Sequence, residues 1–131
     1  METFDVETRS HAEFREITSN VQQVVSGSGV NRGCAIVFIP HTTAGVTINE
    51  HADADVVVDM LDALDRAVPW NARYKHSEGN AAAHVKSSML GHSATVIIED
   101  GRLVLGTWQG IFFAEFDGPR RRKVHVQILE A

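Results

Sequence analysis

Gly33-Cys34-Ala35-Ile36-Val37-Phe38-Ile39-Pro40 is the stretch that sets the fold. It is an unbroken apolar run closed by a proline. That pattern reads as a strand buried on both faces and stopped at Pro40. Cys34 inside the run reads as a small buried hydrophobe rather than a nucleophile. His41-Thr42-Thr43-Ala44-Gly45 follows, and Val46-Thr47-Ile48 reads as the returning strand. His41 then stands at a strand end, a rigid support of the kind a ligand or general base needs. A turn histidine bonded to backbone has the same local sequence.

Before this strand, Phe4 and Val6 alternate on one face of a strand within residues 2–9. Phe14 and Ile17 begin a short extended piece. Thr18, Ser19 and Asn20 offer caps for a helix that carries Val21, Val24 and Val25 and ends at Gly27-Ser28-Gly29. These glycines are too loosely placed for a dinucleotide fingerprint. After the returning strand, Asp53 or Asp55 caps a second helix. Val56, Val57, Met60, Leu61 and Leu64 form its apolar stripe, and Asp59, Asp62, Asp65 and Arg66 its solvated face. Pro69 ends it, and Trp70 and Tyr74 are expected to pack beneath the loop that follows.

That loop leads into His76-Ser77-Glu78-Gly79-Asn80-Ala81-Ala82-Ala83-His84. Glycine permits a sharp turn. Asn80 reads as an N-cap, and the alanines after it favour a helix. A fold-back at Gly79 would bring His76 close to His84. Two imidazoles and the Glu78 carboxylate would then be available to zinc or another divalent cation. The helix continues through Val85, Ser88 and Met89 to Gly91.

Ala94–Glu99 reads as a strand, Asp100-Gly101 as a hairpin turn, and Leu103-Val104-Leu105 as the partner strand. Ile111–Phe116 carries apolar residues on both faces, so Glu115 within it needs a partner or a ligand. Asp117-Gly118-Pro119 is turn chemistry. In the last strand Val124, Val126 and Ile128 share one face, His125 and Gln127 the other. Arg120-Arg121-Arg122-Lys123 is the only dense basic run. It suits either phosphate binding or a charged strand edge.

The chain of 131 residues is long enough for one domain, residues 1–131, with a real core. A net charge of −5 argues against wholesale nucleic-acid binding. The single cysteine excludes an internal disulfide and fits a reducing cytoplasm. No apolar run is long enough for a membrane span, and the first residues show no secretory pattern. The sequence contains no P-loop, no C-x-x-C pair and no nucleophile elbow.

Four segments together resemble the YjbQ-like family: Pro40-His41-Thr42-Thr43-Ala44-Gly45-Val46-Thr47-Ile48-Asn49-Glu50, His76-Ser77-Glu78-Gly79-Asn80 with His84, Leu105-Gly106-Thr107-Trp108-Gln109, and Glu115-Phe116-Asp117-Gly118-Pro119-Arg120. The resemblance implies an α+β domain with a mixed or antiparallel sheet, about three helices, and assembly as a homotrimer. It also implies a secondary thiamine-phosphate synthase activity, joining a pyrimidine diphosphate to a thiazole phosphate with loss of pyrophosphate. A small phosphorylated metabolite is the partner so implied. On this resemblance His41, His76 and His84 are the expected ligands of zinc or magnesium. Arg120 and Asn80 are expected to bind substrate phosphate, and Glu78, Glu115, Asn49 and Gln109 to serve catalysis. His51, His92 and Ala54 depart from the family pattern, which counts against a ligand role for the two histidines. The competing readings are a trimer that binds a phosphorylated metabolite or metal without turnover, and a hydrolase that uses a metal-bound water.

Overall fold

The computed structural model describes residues 1–131. Eight strands and three helices follow in the order β1 (Glu2–Glu7), β2 (Glu13–Glu16), α1 (Thr18–Ser28), β3 (Gly33–Phe38), β4 (Ala44–Glu50), α2 (Ala54–Ala67), α3 (Ala81–Leu90), β5 (Ser93–Glu99), β6 (Arg102–Leu103), β7 (Gln109–Glu115) and β8 (Arg121–Glu130). They build two sheets, one ordered β1-β8-β3-β5-β6 and the other β2-β7-β4. Every pairing is antiparallel. The fold is α+β, as the sequence implies.

Period-two alternation fills the core. Val6, Ala35, Val37, Val96, Ile98, Val124 and Val126 from the larger sheet join Val46, Ile111 and Phe113 from the smaller one. Val21 and Val25 of α1 complete this cluster, and Gly29 closes the helix in the left-handed region at φ 72°. The expected side-chain cap of α1 does not form. Ile17 holds the N-cap position. Thr18 instead donates its hydroxyl to Glu16 and accepts the Ile111 N–H.

β3 is covered on one face only. Ala35 and Val37 are buried, but Cys34 and Ile36 are half-buried and Phe38 is 45% exposed. Hydropathy alone cannot separate a two-sided strand from a one-sided strand with an apolar outer face. β4 does not return against β3. Pro40 has no N–H to extend a ladder, and the chain crosses to the second sheet, where β4 pairs with β7. β7 lies centrally in that sheet and is buried on both faces, as its sequence predicts.

The helices depart from their expected faces in two ways. Asp53 caps α2 by accepting the Asp55 N–H at 2.9 Å, yet no α2 residue is fully buried. Val56, Val57, Met60, Leu61 and Leu64 are only half-covered. In α3, Val85 and Met89 face outward, and the buried face is Ala82, Ala83, Lys86 and Ser87. Small side chains let α3 approach β4. Ala83 packs with Ala114 and Phe116, and Trp70 lies against this group. The Asp100-Gly101 turn forms, with φ 52° and 71°, but β6 spans Arg102–Leu103 rather than 103–105. β8 runs between β1 and β3, so the basic run does not guard a sheet edge. No helix is long and apolar enough to cross a membrane.

The α3–β4 contact turns on Gly45. A Cβ there would lie 2.6 Å from the Gly91 carbonyl oxygen. Gly45→Ala is expected to destabilise the fold by about 1–3 kcal/mol. Urea unfolding at neutral pH measures it, and an unchanged midpoint would remove the close-packing account.

Candidate functional site

β7 ends at Glu115, whose side chain is fully buried. Its carboxylate accepts Arg122 Nε at 2.8 Å on Oε1 and Arg122 Nη2 on Oε2. The Thr8 hydroxyl donates to Oε1 at 2.7 Å and the Asp117 N–H to Oε2 at 3.0 Å. Arg122 also donates to Thr43 Oγ1 at 2.8 Å. Burial pushes the Glu115 pKa up, but hydrogen bonds from Arg122, Thr8 and the Asp117 N–H outweigh it and hold the carboxyl below its ordinary value. Glu115 is therefore an ionised structural anchor, and its expected role as a proton-transfer group is corrected.

Above this pair lies a cleft of about 410 Å³ whose lining residues are all polar apart from Pro40. His41, His76, His84, Glu78, Asn80 and Arg120 all border it, as do Asp117 and Arg122. The fold-back at Gly79, with φ 77°, brings His76 and His84 together as the sequence predicts. Their ring centroids are 5.2 Å apart and the rings nearly perpendicular. Glu78 Oε1 is 3.9 Å from His76 Nε2. His41 accepts the Lys123 N–H on Nε2 at 2.9 Å. A neutral ring that accepts there carries its proton on Nδ1. Burial, and next the positive Arg122, lower the His41 pKa.

Asn80 stands at the N-cap of α3 but does not cap it. Its Nδ2 donates to Asp117 Oδ2 at 2.9 Å, and its Oδ1 has no partner. The same Asp117 oxygen accepts Arg120 Nη2 at 3.1 Å, and Arg120 Nε donates to the Asp117 carbonyl at 2.9 Å. Asp117 thus steers two cleft residues at once.

The residues do not fit the expected zinc or magnesium centre. The three histidines share the cleft, but no three His, Cys, Asp or Glu side chains converge as a ligand set. His41 Nε2 is already engaged by backbone. Asn49 and Gln109 lie elsewhere. In the β4–β7 ladder Ala44 faces Glu115 whereas Glu50 faces Gln109. Six residues of strand separate the two ends by roughly 20 Å. Asn49 Oδ1 accepts the Glu50 N–H, and Gln109 Oε1 accepts the Gly106 N–H. Within one chain the fold thus sets these two candidates apart from the cleft.

Sequence reasoning missed Thr8, Thr43, Asp117 and Arg122. A signal existed for two of them. The inward phase of Val124 and Val126 extends back to Arg122, and that of Phe4 and Val6 extends forward to Thr8. Asp117 read only as a turn residue.

The sequence pattern described as "UPF0047 protein YjbQ-like" matches residues 2–131. The UPF0047 protein MJ1081 of Methanocaldococcus jannaschii is 49% identical over 126 residues, covering 96% of this chain and 91% of that protein. The UPF0047 protein YugU of Bacillus subtilis is 48% identical over 130 residues, covering 98% of each. A crystal structure of a YjbQ/UPF0047 family protein from Clostridium acetobutylicum, described as uncharacterized, superposes with a TM-score of 0.97 at 53% identity, covering 98% of this chain and 100% of that one. A YbjQ-like protein of unknown function from Sulfolobus solfataricus gives a TM-score of 0.95 at 34% identity, covering 99% and 96%. These relatives carry family names and no activity. The expectation of a thiamine-phosphate synthase, and of a transferase, is thereby overturned.

The Glu115 anchor has a pH signature. A carboxyl whose folded pKa lies below its unfolded value, near 4.5, stabilises the fold above that value. The contribution is lost as pH falls through the folded pKa. Glu115→Gln should unfold more easily at neutral pH and show a flatter loss of stability as the pH falls from about 5 into the acid range. Glu115→Ala, which leaves the buried Arg122 charge unpaired, should cost about 3–5 kcal/mol. Urea titrations across that range read both effects; parallel pH profiles for wild type and Glu115→Gln would contradict the assignment.

Proposed function

The chain belongs to the UPF0047 family of YjbQ-like proteins, and from that premise we propose that the cleft binds a small phosphate-bearing metabolite. One observation carries the reading. Arg120, with its side chain 52% exposed, borders a cleft that contains three imidazoles and, apart from Pro40, only polar residues. Its Nε and Nη2 are held by Asp117, and Nη1 has no protein partner. A guanidinium fixed on one edge is oriented before the ligand arrives, which lowers the entropic cost of binding. A cleft lined mainly by polar side chains favours a strongly hydrated, polar ligand. The His76–His84 pair gives the site imidazoles that can give or take a proton beside the bound group.

We also propose the homotrimer that the family resemblance implies. The half-covered stripe of α2 and the exposed apolar side chains Phe38, Ile97 and Leu129 on the outer face of the larger sheet support it. A closed ring that uses one heterologous contact three times would cover such surfaces. A cytoplasmic location belongs to the same reading, since the one cysteine, Cys34, is unpaired.

Calorimetric titration with inorganic phosphate and with ethyl phosphate tests the site. Wild type should bind both, and Arg120→Ala should bind about 10- to 100-fold more weakly. Arg120→Lys should recover only part of the loss, because the fork is gone. Absence of binding to wild type at millimolar concentrations would sink the proposal. Light scattering tests the assembly: a particle three times the 14.4 kDa chain mass is expected, and a monomer at micromolar concentration would refute it.

A further inference from the structure

β8 outruns both of its neighbours. Its first part pairs with β1, Glu2 facing Val126, and its last part with β3, Gly33 facing Glu130. No strand therefore lies beside Ile128–Glu130 on the β1 side. The register shows where the backbone groups point. In an antiparallel ladder every second residue turns both its N–H and its C=O to the same neighbour. The Thr8 N–H donates to the Arg120 carbonyl at 2.9 Å, in phase with the β1 pairing, so the even-numbered residues of β8 turn to β1. The Ala131 N–H donates to the Arg32 carbonyl at 2.9 Å, so the odd-numbered ones turn to β3. Where β3 has ended, the fold fills the vacant place: Lys123 gives its N–H to the His41 ring. Ile128 and Glu130 have no such substitute. The Ile128 carbonyl accepts the amide of its own neighbour Gln127 at 3.3 Å, a long bond, and no other side chain meets these groups. The edge borders a groove of about 540 Å³ between β8 and α1, with Phe4, Val24, Val126 and Ile128 as its apolar wall. Gly27 of α1 leaves room there, since a Cβ on it would meet nothing within 4 Å.

We propose that this edge docks an extended peptide segment of a partner protein, which continues the line of β1 and runs antiparallel to β8. An open ladder gives such a segment its affinity, and the pockets beside it select its side chains. The register fixes the chemistry. The peptide residue opposite Ile128 exchanges both backbone bonds with it and turns its side chain inward, toward Phe4 and Val24, so it is apolar. The residue before it faces Leu129, which is 47% exposed on the outer side, and is apolar too. The residue before that stands opposite Glu130, an exposed carboxylate in no ion pair, and is Lys or Arg. β1 begins at Glu2 and closes the slot beyond Ile128, so the segment ends or turns away there. The site reads basic, apolar, apolar. It lies six residues along β8 from Arg122, roughly 20 Å away, and is independent of the cleft.

Nuclear magnetic resonance of the whole protein with an acetylated, amidated peptide of sequence TTKVV tests the site. In the free protein the Ile128 and Glu130 amides should exchange with solvent quickly, while the Leu129 amide, bonded to β3, is protected. The peptide should bind with a dissociation constant of about 0.1–1 mM and slow exchange at Ile128 and Glu130. Gly27→Leu fills the groove from α1 with a better helix former, and should weaken binding at least about tenfold. N-methylation of the last valine removes the donor to Ile128 and should do the same without touching the protein. Glu130→Lys should reverse the preference for TTKVV over TTEVV. No binding at several millimolar overturns the proposal, as does affinity unchanged by Gly27→Leu or by N-methylation. A preference for TTKVV that survives Glu130→Lys overturns the register and the proposal with it. Protection of the Ile128 and Glu130 amides before any peptide is added also overturns it, because a second copy of the chain then already covers the edge.

Discussion

The buried pair of Glu115 and Arg122 is the constraint on which the rest of the structure depends. Glu115 ends a strand of the smaller sheet and Arg122 opens a strand of the larger one. Two charges taken out of water attract each other but also lose their hydration, so such a pair often adds little net stability. Here every carboxylate lone pair that matters is occupied, by Arg122, Thr8 and the Asp117 N–H. Thr43, from the crossing that leads into β4, takes the remaining face of Arg122. Four chain segments meet on two side chains, and their relative placement has one low-energy solution. The turn between the two strands packs on the pair directly. A Cβ on Gly118 would lie 2.9 Å from Glu115 Cγ and 2.3 Å from the Ser10 carbonyl oxygen.

The site inherits its geometry from that turn. Within two residues of Glu115 the chain presents Asp117, and three residues later Arg120. The basic run that follows is split by strand alternation. Arg122 goes inward, while Arg121 and Lys123 go outward and both bond Asp5. These bonds hold the Asp5 carboxyl below its ordinary pKa and raise that of Arg121. Of four consecutive cations, then, Arg122 anchors the core and borders the cleft together with Arg120, while Arg121 and Lys123 decorate the outer face of the sheet. Counting charges along the sequence overstates how many cations reach the cleft, and the phase of the strand corrects it.

The comparisons and the cleft carry different kinds of information. Close agreement with solved relatives establishes the fold along the whole chain. A fold does not supply chemistry, which resides in particular side chains and their distances. In this cleft the three imidazoles stand in different settings. His41 is committed through Nε2 to the start of β8, and the near-perpendicular rings of His76 and His84 meet edge to face. The Oδ1 of Asn80, a residue bordering the cleft, is buried without a hydrogen-bond partner.

By itself the sequence marked most of the strands and helices and the approach of His76 to His84, while its resemblance to a family implied the α+β class. The elements follow from alternation and helical spacing, and the approach from the freedom of Gly79 to turn. It also marked Glu115 as a buried charge in need of a partner. Tertiary structure alone decided which sheet each strand joins. Val46-Thr47-Ile48 is equally good as a partner for β3 or for β7, because strand pairing is set by contacts distant along the chain. Tertiary structure likewise separated Asn49 and Gln109 from the cleft, and it turned the Asn80 side chain from capping α3 to bonding Asp117. The physical reason is common to these cases. A side chain with two available partners, one local and one distant, goes where packing places the better acceptor, and packing is not written in any one stretch of the chain.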